Sequence, residues 1–367
     1  MKILFFTPYI DLTGSEFFLL NLIKLLKNKG VEIVVISKYK GKLYNEFQKY
    51  ATVYTLDYNS KSIFEKIAFK FTSKFISFNK IDEQFIKKIN NKFMPNFWYV
   101  NTIAFSEIYE LAIQLNAKVV THFHELPSQF TTIQEKKLSN IITNSNYLIG
   151  CSSVVVDVLK NLGAKNIILQ YEAIDPDRIK LNSDFKKENI SNISNSTYIV
   201  MMGGQRTHRK GVDLFIEVAE KLASQDILFI WVGKSFGDGL HYFVEQKIKK
   251  MKNVLFIDEK QDDYFNYLKI SDLFFLSSRE DPFPLAMIEA GFLGKPIVSF
   301  NSGGAKEFIK DFNGICIKGF DIDDLADAIL ECKNKLYDVE KIKNHANIYT
   351  MNNQLPDFLS KLEHLPF

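Results

Sequence analysis

Asp281 and Glu289, with seven residues between them, are the side chains around which the chemistry of this sequence gathers. They stand in the stretch Ser277 to Gly304, SSREDPFPLAMIEAGFLGKPIVSFNSGG. An apolar run, Leu273 to Leu276, reads as a buried parallel strand that stops at a polar loop. Pro282 and Pro284 lead from that loop into a helix expected to carry Leu285, Ile288, Phe292 and Leu293 on its inner face. A helix N-terminus offers free N–H groups and the positive end of a dipole, which suits phosphate. A carboxylate about one turn inside the same helix can accept two hydrogen bonds from neighbouring sugar hydroxyls. Together these groups fit a nucleotide-sugar. A further strand, Pro296 to Phe300, then leads to Gly303-Gly304 and a helix start that holds Glu307.

A second cluster is cationic. Met202-Gly203-Gly204-Gln205-Arg206-Thr207-His208-Arg209-Lys210-Gly211 ends a strand and opens a helix, Val212 to Ala223. Gly203 and Gly204 allow close backbone approach, and Arg209 beside Lys210 at a helix start can neutralise a diphosphate. A solvated basic turn is the plain alternative. A third cluster, Thr121-His122-Phe123-His124-Glu125, follows a strand, and alternation puts His122 and His124 on one side. These residue types also occur at metal sites, but no further ligand cluster accompanies them. Gly14, with Ser15 and Glu16, occupies the first strand-to-helix turn, which alone is ordinary helix-start chemistry.

With these residues in view, the chain resembles the retaining family-4 glycosyltransferases of GT-B fold, whose signature is an acidic residue, seven residues, then Glu. The family more often has Glu first and Phe-Gly-Leu in the middle. Here Asp281 and Phe283-Pro284-Leu285 stand there, similar to a subgroup written D-P-F-P-L. Pro284 lacks the N–H that Gly would offer, so amides near Leu285 must supply the contacts. The resemblance implies Glu289 on the ribose hydroxyls, Asp281 on the sugar, and Arg209 and Lys210 on the leaving diphosphate. It places Gly203, Gly204, Phe283 and Leu285 in the donor site. The family's earlier arginine falls at Gly204 or Gln205, which leaves open whether Arg206 replaces it. His124 matches the second histidine of an H-x-H-E element that faces the donor sugar across a cleft, with His122 supporting it. Gly14 would lie near the β-phosphate or the acceptor. Gly303-Gly304-x-x-Glu307 resembles a G-G-x-x-E element, although Glu307 also suits a first-turn helix acid. Retention implies attack from the face of departure, with the β-phosphate taking the acceptor proton. No metal and no cofactor is implied beyond a UDP- or GDP-linked donor, and Asp262-Asp263 reads as a surface turn.

The elements that must position these groups alternate between strand and helix. Strand-like runs occur at Ile3–Phe6, Val31–Ser37, Val53–Leu56, Phe97–Val100, Val119–Phe123 and Tyr147–Cys151, with a helix from Glu16 to Asn28. After a Ser/Asn-rich stretch, Lys186 to Ser196, read as an exposed connection, strands recur at Tyr198–Met202, Ile227–Val232, Val254–Ile257, Asp272–Leu276 and Ile297–Phe300. Such alternation argues for α/β architecture, in two Rossmann-like doubly wound domains facing a central cleft. The expected division is an acceptor domain over 1–178 and a donor domain over 179–349. A terminal helix, about 350–367, would pack back on the first.

Composition narrows the partners. The chain has 367 residues, 46% hydrophobic, and a net charge of +3, too small to favour nucleic acid. Lys2–Phe6 is too short for a secretory core, and no 18-residue apolar run exists, so a soluble cytoplasmic protein is expected. The three cysteines form no C-x-x-C. Lysine outnumbers arginine 42 to 4, which makes Arg178, Arg206, Arg209 and Arg279 worth locating. Lys61 to Lys92 holds eight lysines among phenylalanines, which suits either a peripheral contact at the inner face of a membrane or a solvated face. The expected activity is sugar transfer to a glycan or lipid-linked acceptor in cell-surface polysaccharide synthesis. A nucleotide-sugar 2-epimerase and a non-catalytic nucleotide-sugar-binding scaffold are the alternatives.

Overall fold

A computed structural model describes residues 1–56, 80–190, 193–235, 237, 239–258 and 264–366. The chain divides into two units, Met1–Gln170 with Leu355–Phe367, and Tyr171–Gln354. Each is built on one parallel sheet with helices between successive strands.

In the first unit the strands are β1 (Lys2–Thr7), β2 (Glu32–Ser37), β3 (Thr52–Thr55), β4 (Phe97–Asn101), β5 (Val119–Phe123), β6 (Tyr147–Gly150) and β7 (Ile167–Leu169). Their order is β3-β2-β1-β4-β5-β6-β7. Ile3, Leu4, Phe5 and Phe6 are all fully buried, as an unbroken apolar run must be when helices cover both faces of its strand. The second unit repeats the plan with β8 (Tyr198–Gly203), β9 (Ile227–Val232), β10 (Val254–Ile257), β11 (Leu273–Leu276), β12 (Ile297–Phe300) and β13 (Gly314–Ile317), ordered β10-β9-β8-β11-β12-β13. In both sheets the chain winds outward from the first strand, then returns to that strand's other side. The reversal falls between β1 and β4, and between β8 and β11. Loops diverge at the carboxyl ends of such strand pairs and leave a crevice there. This is the GT-B pair of Rossmann-like domains.

Several local expectations need correction. β7 and β13 are strands the sequence reading does not include; both are short edge strands, half-buried over most of their length. In the Leu285–Phe292 helix the fully buried side is Met287, Ile288 and Ala290, while Leu285, Phe292 and Leu293 are half-buried. Lys186 to Ser196, apart from 191–192, is mostly exposed, but it lies inside the second unit rather than between the two. Lys187 Nζ bonds Asp272 at 2.7 Å and Ile190 is buried in the core. Of the Lys61–Lys92 run, 61–79 lies outside the described residues, as does Asp262-Asp263. Its described end, the Lys80–Phe93 helix, buries Ile86 and Ile89 in the first unit's core and accepts the Trp98 indole N–H on Asn90 at 2.9 Å. No helix among the described residues is long and apolar enough to cross a membrane. The closing helix, Met351–Glu363, buries Leu355, Phe358, Leu359 and Leu362, with Phe358 against the rings of Phe18 and His122.

Candidate active site

At the carboxyl end of β8 the backbone leaves the sheet through Gly203 and Gly204. A Cβ at Gly203 would lie 2.4 Å from the Tyr264 ring, and the Gly204 carbonyl accepts the Trp231 indole N–H at 2.7 Å. Seven residues on, Gly211 takes φ +72° and brings the loop onto the end of β11, where a Cβ would sit 2.0 Å from the Ser277 carbonyl oxygen. No residue but glycine fits there. Further bonds sew the two loops together: the Ser277 hydroxyl donates to the Lys210 carbonyl at 2.9 Å, and the Arg279 N–H to the Arg209 carbonyl at 2.8 Å.

Across this seam Lys210 Nζ meets Asp281 Oδ2 at 2.5 Å, and the Ser278 hydroxyl donates to the same oxygen at 3.2 Å. The two charged side chains are 16% and 8% exposed, so the pair is largely desolvated and each charge depends on the other. Arg209 donates to the Glu280 carbonyl at 2.8 Å. Arg279 forks onto Asp213 at 2.8 and 2.7 Å. Burial works against the Asp213 charge, but the Arg279 fork more than offsets it and holds that carboxyl below its ordinary range. Arg279 is thus a brace within the loop.

Asp281 also bonds the loop after β12: its N–H donates to the Ser302 carbonyl at 2.8 Å and its carbonyl accepts the Gly304 N–H at 3.2 Å. Gly303 takes φ +140°, and a Cβ on Gly304 would lie 2.3 Å from the Pro282 carbonyl oxygen. Arg209, Lys210, Asp281, Gly303 and Gly304, three separate stretches of sequence, therefore meet at one crevice.

Glu289 sits in the second turn of the Leu285–Phe292 helix, which Pro284 introduces with φ −68° and ψ 124°. Burial pushes its carboxyl up, while the Arg178 guanidinium and the Tyr264 hydroxyl draw it back down. Tyr264 is the ring over Gly203, so Glu289 and the start of the glycine loop share a neighbour. Phe283 packs on Tyr171 and Tyr349, with centroids 4.9 and 5.2 Å away. Glu307 faces the same two tyrosines; burial and its carboxylate together push the Tyr171 phenol up. Arg206 pairs elsewhere, bonding Asp258 at 2.5 Å and stacking on Phe256. Its Nε and Nη1 are buried with no partner among the described residues.

In the first unit Gly14 opens the Gly14–Asn28 helix at the end of β1. Glu16 follows, 3% exposed, with the Ser15 hydroxyl donating to it at 2.9 Å and the Thr7 hydroxyl 3.3 Å away. Burial drives its carboxyl up to about 7, against the pull of Ser15 and of nearby His124. His124 Nε2 lies 3.0 Å from Asn101 Oδ1, and its ring centroid is 3.9 Å from that of His122. His122 is fully buried with Nδ1 2.7 Å from the Tyr99 hydroxyl; burial, then His124, push it well below its ordinary value, so it is neutral. Glu125 turns back to accept the N–H groups of His124 and Ile103, at 2.9 and 3.3 Å. Sequence reasoning missed Arg178, Tyr264 and Asn101 as members of these clusters. Only the scarcity of arginine pointed toward Arg178.

Residues 183–347 match the family described as glycosyl transferases group 1. The matched stretch lies within the second unit. It contains Arg209, Lys210, Asp281, Glu289 and the Gly303-Gly304 turn, while Arg178 lies five residues before its start. Among curated proteins the chain is 35% identical over 111 residues to the alpha-galactosylglucosyldiacylglycerol synthase of Streptococcus pneumoniae, covering 29% of each. It is 27% identical over 190 residues to the UDP-Gal:alpha-D-GlcNAc-diphosphoundecaprenol alpha-1,3-galactosyltransferase of Escherichia coli, covering 45% of this chain and 49% of that one. The matches therefore span less than half of each relative. Among solved structures, Anabaena Alr3699/HepE in complex with UDP-glucose superposes with a TM-score of 0.79 at 17% identity, over all of both chains. Sucrose-phosphate synthase from Thermosynechococcus elongatus gives 0.75 at 14% identity, over 99% of this chain and 98% of that one.

Proposed function

We propose that this protein is a retaining, metal-independent glycosyltransferase that moves a sugar from a UDP- or GDP-linked donor to a glycan or lipid-linked acceptor, in cell-surface polysaccharide synthesis. The observation that carries the reading is the buried Lys210–Asp281 pair at the β8/β11 reversal, flanked by Arg209 and by the Gly303-Gly304 loop. The donor diphosphate takes its place beside Lys210 and Arg209, and Glu289 accepts the two ribose hydroxyls. The C–O bond between the sugar and the β-phosphate breaks as the acceptor oxygen attacks from the same face. The acceptor's proton passes to the departing β-phosphate oxygen. Cations in a site with little water stabilise that developing charge most strongly, and they supply what a divalent ion supplies elsewhere. Asp281 holds both Lys210 and a sugar hydroxyl, and Arg206 lends its two unpartnered N–H groups to the nucleotide. His124 is the proposed sugar contact contributed by the first unit. The two curated relatives, which by their names make a galactosylglucosyldiacylglycerol and transfer galactose to a diphosphoundecaprenol-linked sugar, support a lipid-linked acceptor.

Thermal shifts with UDP, GDP and ADP, first without metal and then with magnesium, test this directly. One nucleotide stabilises the protein without metal, and Glu289→Ala abolishes the shift. A flat response to all three nucleotides overturns the reading. Isomerised product from donor alone would favour the epimerase.

A further inference from the structure

We propose that Tyr9 and Tyr39 form a platform on which a pyranose ring of the acceptor stacks. The acceptor role rests on the glycosyltransferase reading above; the sugar-binding surface itself stands on geometry within the first unit. The two rings lie 5.2 Å apart at an interplanar angle of 17°, an offset stack, and are 52% and 37% exposed. They stand at the carboxyl ends of adjacent parallel strands, Tyr9 after β1 and Tyr39 after β2.

The loops that carry them are fixed to each other. The Lys38 N–H donates to the Thr7 carbonyl at 3.3 Å, the Tyr39 N–H to the Pro8 carbonyl at 3.2 Å, and the Leu43 N–H to the Ile10 carbonyl at 3.0 Å. Gly41 presses so closely that a Cβ there would lie 2.2 Å from the Ile10 carbonyl oxygen. The Ser37 hydroxyl donates to the Tyr39 carbonyl at 2.8 Å, and the Thr7 hydroxyl donates to the Tyr9 carbonyl at 3.1 Å. The same Thr7 hydroxyl reaches Glu16, so the platform backs onto the cluster that holds His124. Loops at strand ends are ordinarily the mobile, adaptable part of an α/β unit. Here the backbone is cross-linked so that two large rings are held half in water, a preorganised apolar face with polar rims.

That surface fits the C–H face of a gluco- or galacto-configured pyranose. Those axial C–H bonds carry partial positive charge, and the aromatic face carries the negative lobe of its quadrupole. A stepped two-ring surface matches one flat sugar ring, whereas an acyl chain calls for a groove along its length.

The test is saturation-transfer NMR on the full chain, using methyl β-D-galactopyranoside and methyl α-D-glucopyranoside as probes with UDP in the same tube. Transfer to the ring protons of at least one glycoside is expected. It should fall about fivefold or more in Tyr9→Ala and Tyr39→Ala and persist in Tyr9→Phe and Tyr39→Phe, whose rings still stack. Melting curves of the phenylalanine variants control for folding. No transfer to either glycoside, or transfer unchanged in both alanine variants, overturns the platform. UDP signals that collapse with the same alanine substitutions also overturn it, because the pair would then bind the base. If UDP fails to bind the unaltered protein while the glycosides bind at the tyrosines, the donor reading falls and the platform survives.

Discussion

Lys210 and Asp281 each hold the other's charge in a setting with little water, and that dependence separates their structural role from their chemical one. Lys210→Met leaves a buried carboxylate without its cation and should cost about 3 kcal/mol of stability. Adding Asp281→Asn removes the orphaned charge and should recover most of that loss in urea melts. Transfer activity should stay down by orders of magnitude in both variants, because the diphosphate still lacks its cation. Recovery of activity together with stability would sink the catalytic assignment. Glu16 makes a prediction in pH. Its folded value near 7 lies above the ordinary 4.5, so between those values the folded state keeps a proton that the unfolded chain gives up. Stability from this group is therefore full below about pH 4.5 and falls as pH rises to about 7, by on the order of 3 kcal/mol. Glu16→Gln should match the parent at pH 4 and exceed it at pH 8. The residue types at the site were legible in the sequence because phosphate and sugar demand cations, glycines and a carboxylate. Their pairing was not: Lys210 and Asp281 are 71 residues apart, and Arg178 reaches Glu289 across 111.

At the level of elements, the sequence revealed every strand between two neighbours, and of the four edge strands it revealed β3 and β10 but not β7 and β13. Ile3–Phe6 and Leu273–Leu276 announce themselves as unbroken apolar runs, while β7 and β13 bury too little to need one. The glycines follow a similar division. Gly303-Gly304 was readable as a turn, but what demands glycine at Gly304 is the Pro282 carbonyl, supplied by a loop twenty-two residues upstream. Gly304→Ala should shift the loop after β12 off Asp281 and cost about 1–3 kcal/mol, as overpacking against backbone does. Nucleotide affinity should weaken with it. A variant that melts like the parent and binds UDP equally well would show that the loop yields without consequence. Gly41 has the same relation to Ile10 in the first unit, so Gly41→Ala should loosen the Tyr9–Tyr39 stack without touching β8 or β11.

Taken whole, the chain crosses between its two units twice, after Gln170 and again after Gln354. Leu355, Phe358, Leu359 and Leu362 finish a core that begins at Ile3, and Phe358 covers the rings of Phe18 and His122. Removing 355–367 should uncover that face: limited proteolysis should then attack the first unit while sparing the second. Equal resistance of both units would contradict this. The arrangement also bears on how the protein is made. A ribosome adding roughly 5–20 residues per second needs about 10–40 seconds to travel from Gln170 to Leu355. Over that interval the strands of the second unit emerge one after another and by its end are all made, while the first unit, synthesised earlier, waits with its last apolar wall missing. The older half of the nascent chain is thus the later to mature, and it is there that a chaperone would find something to hold.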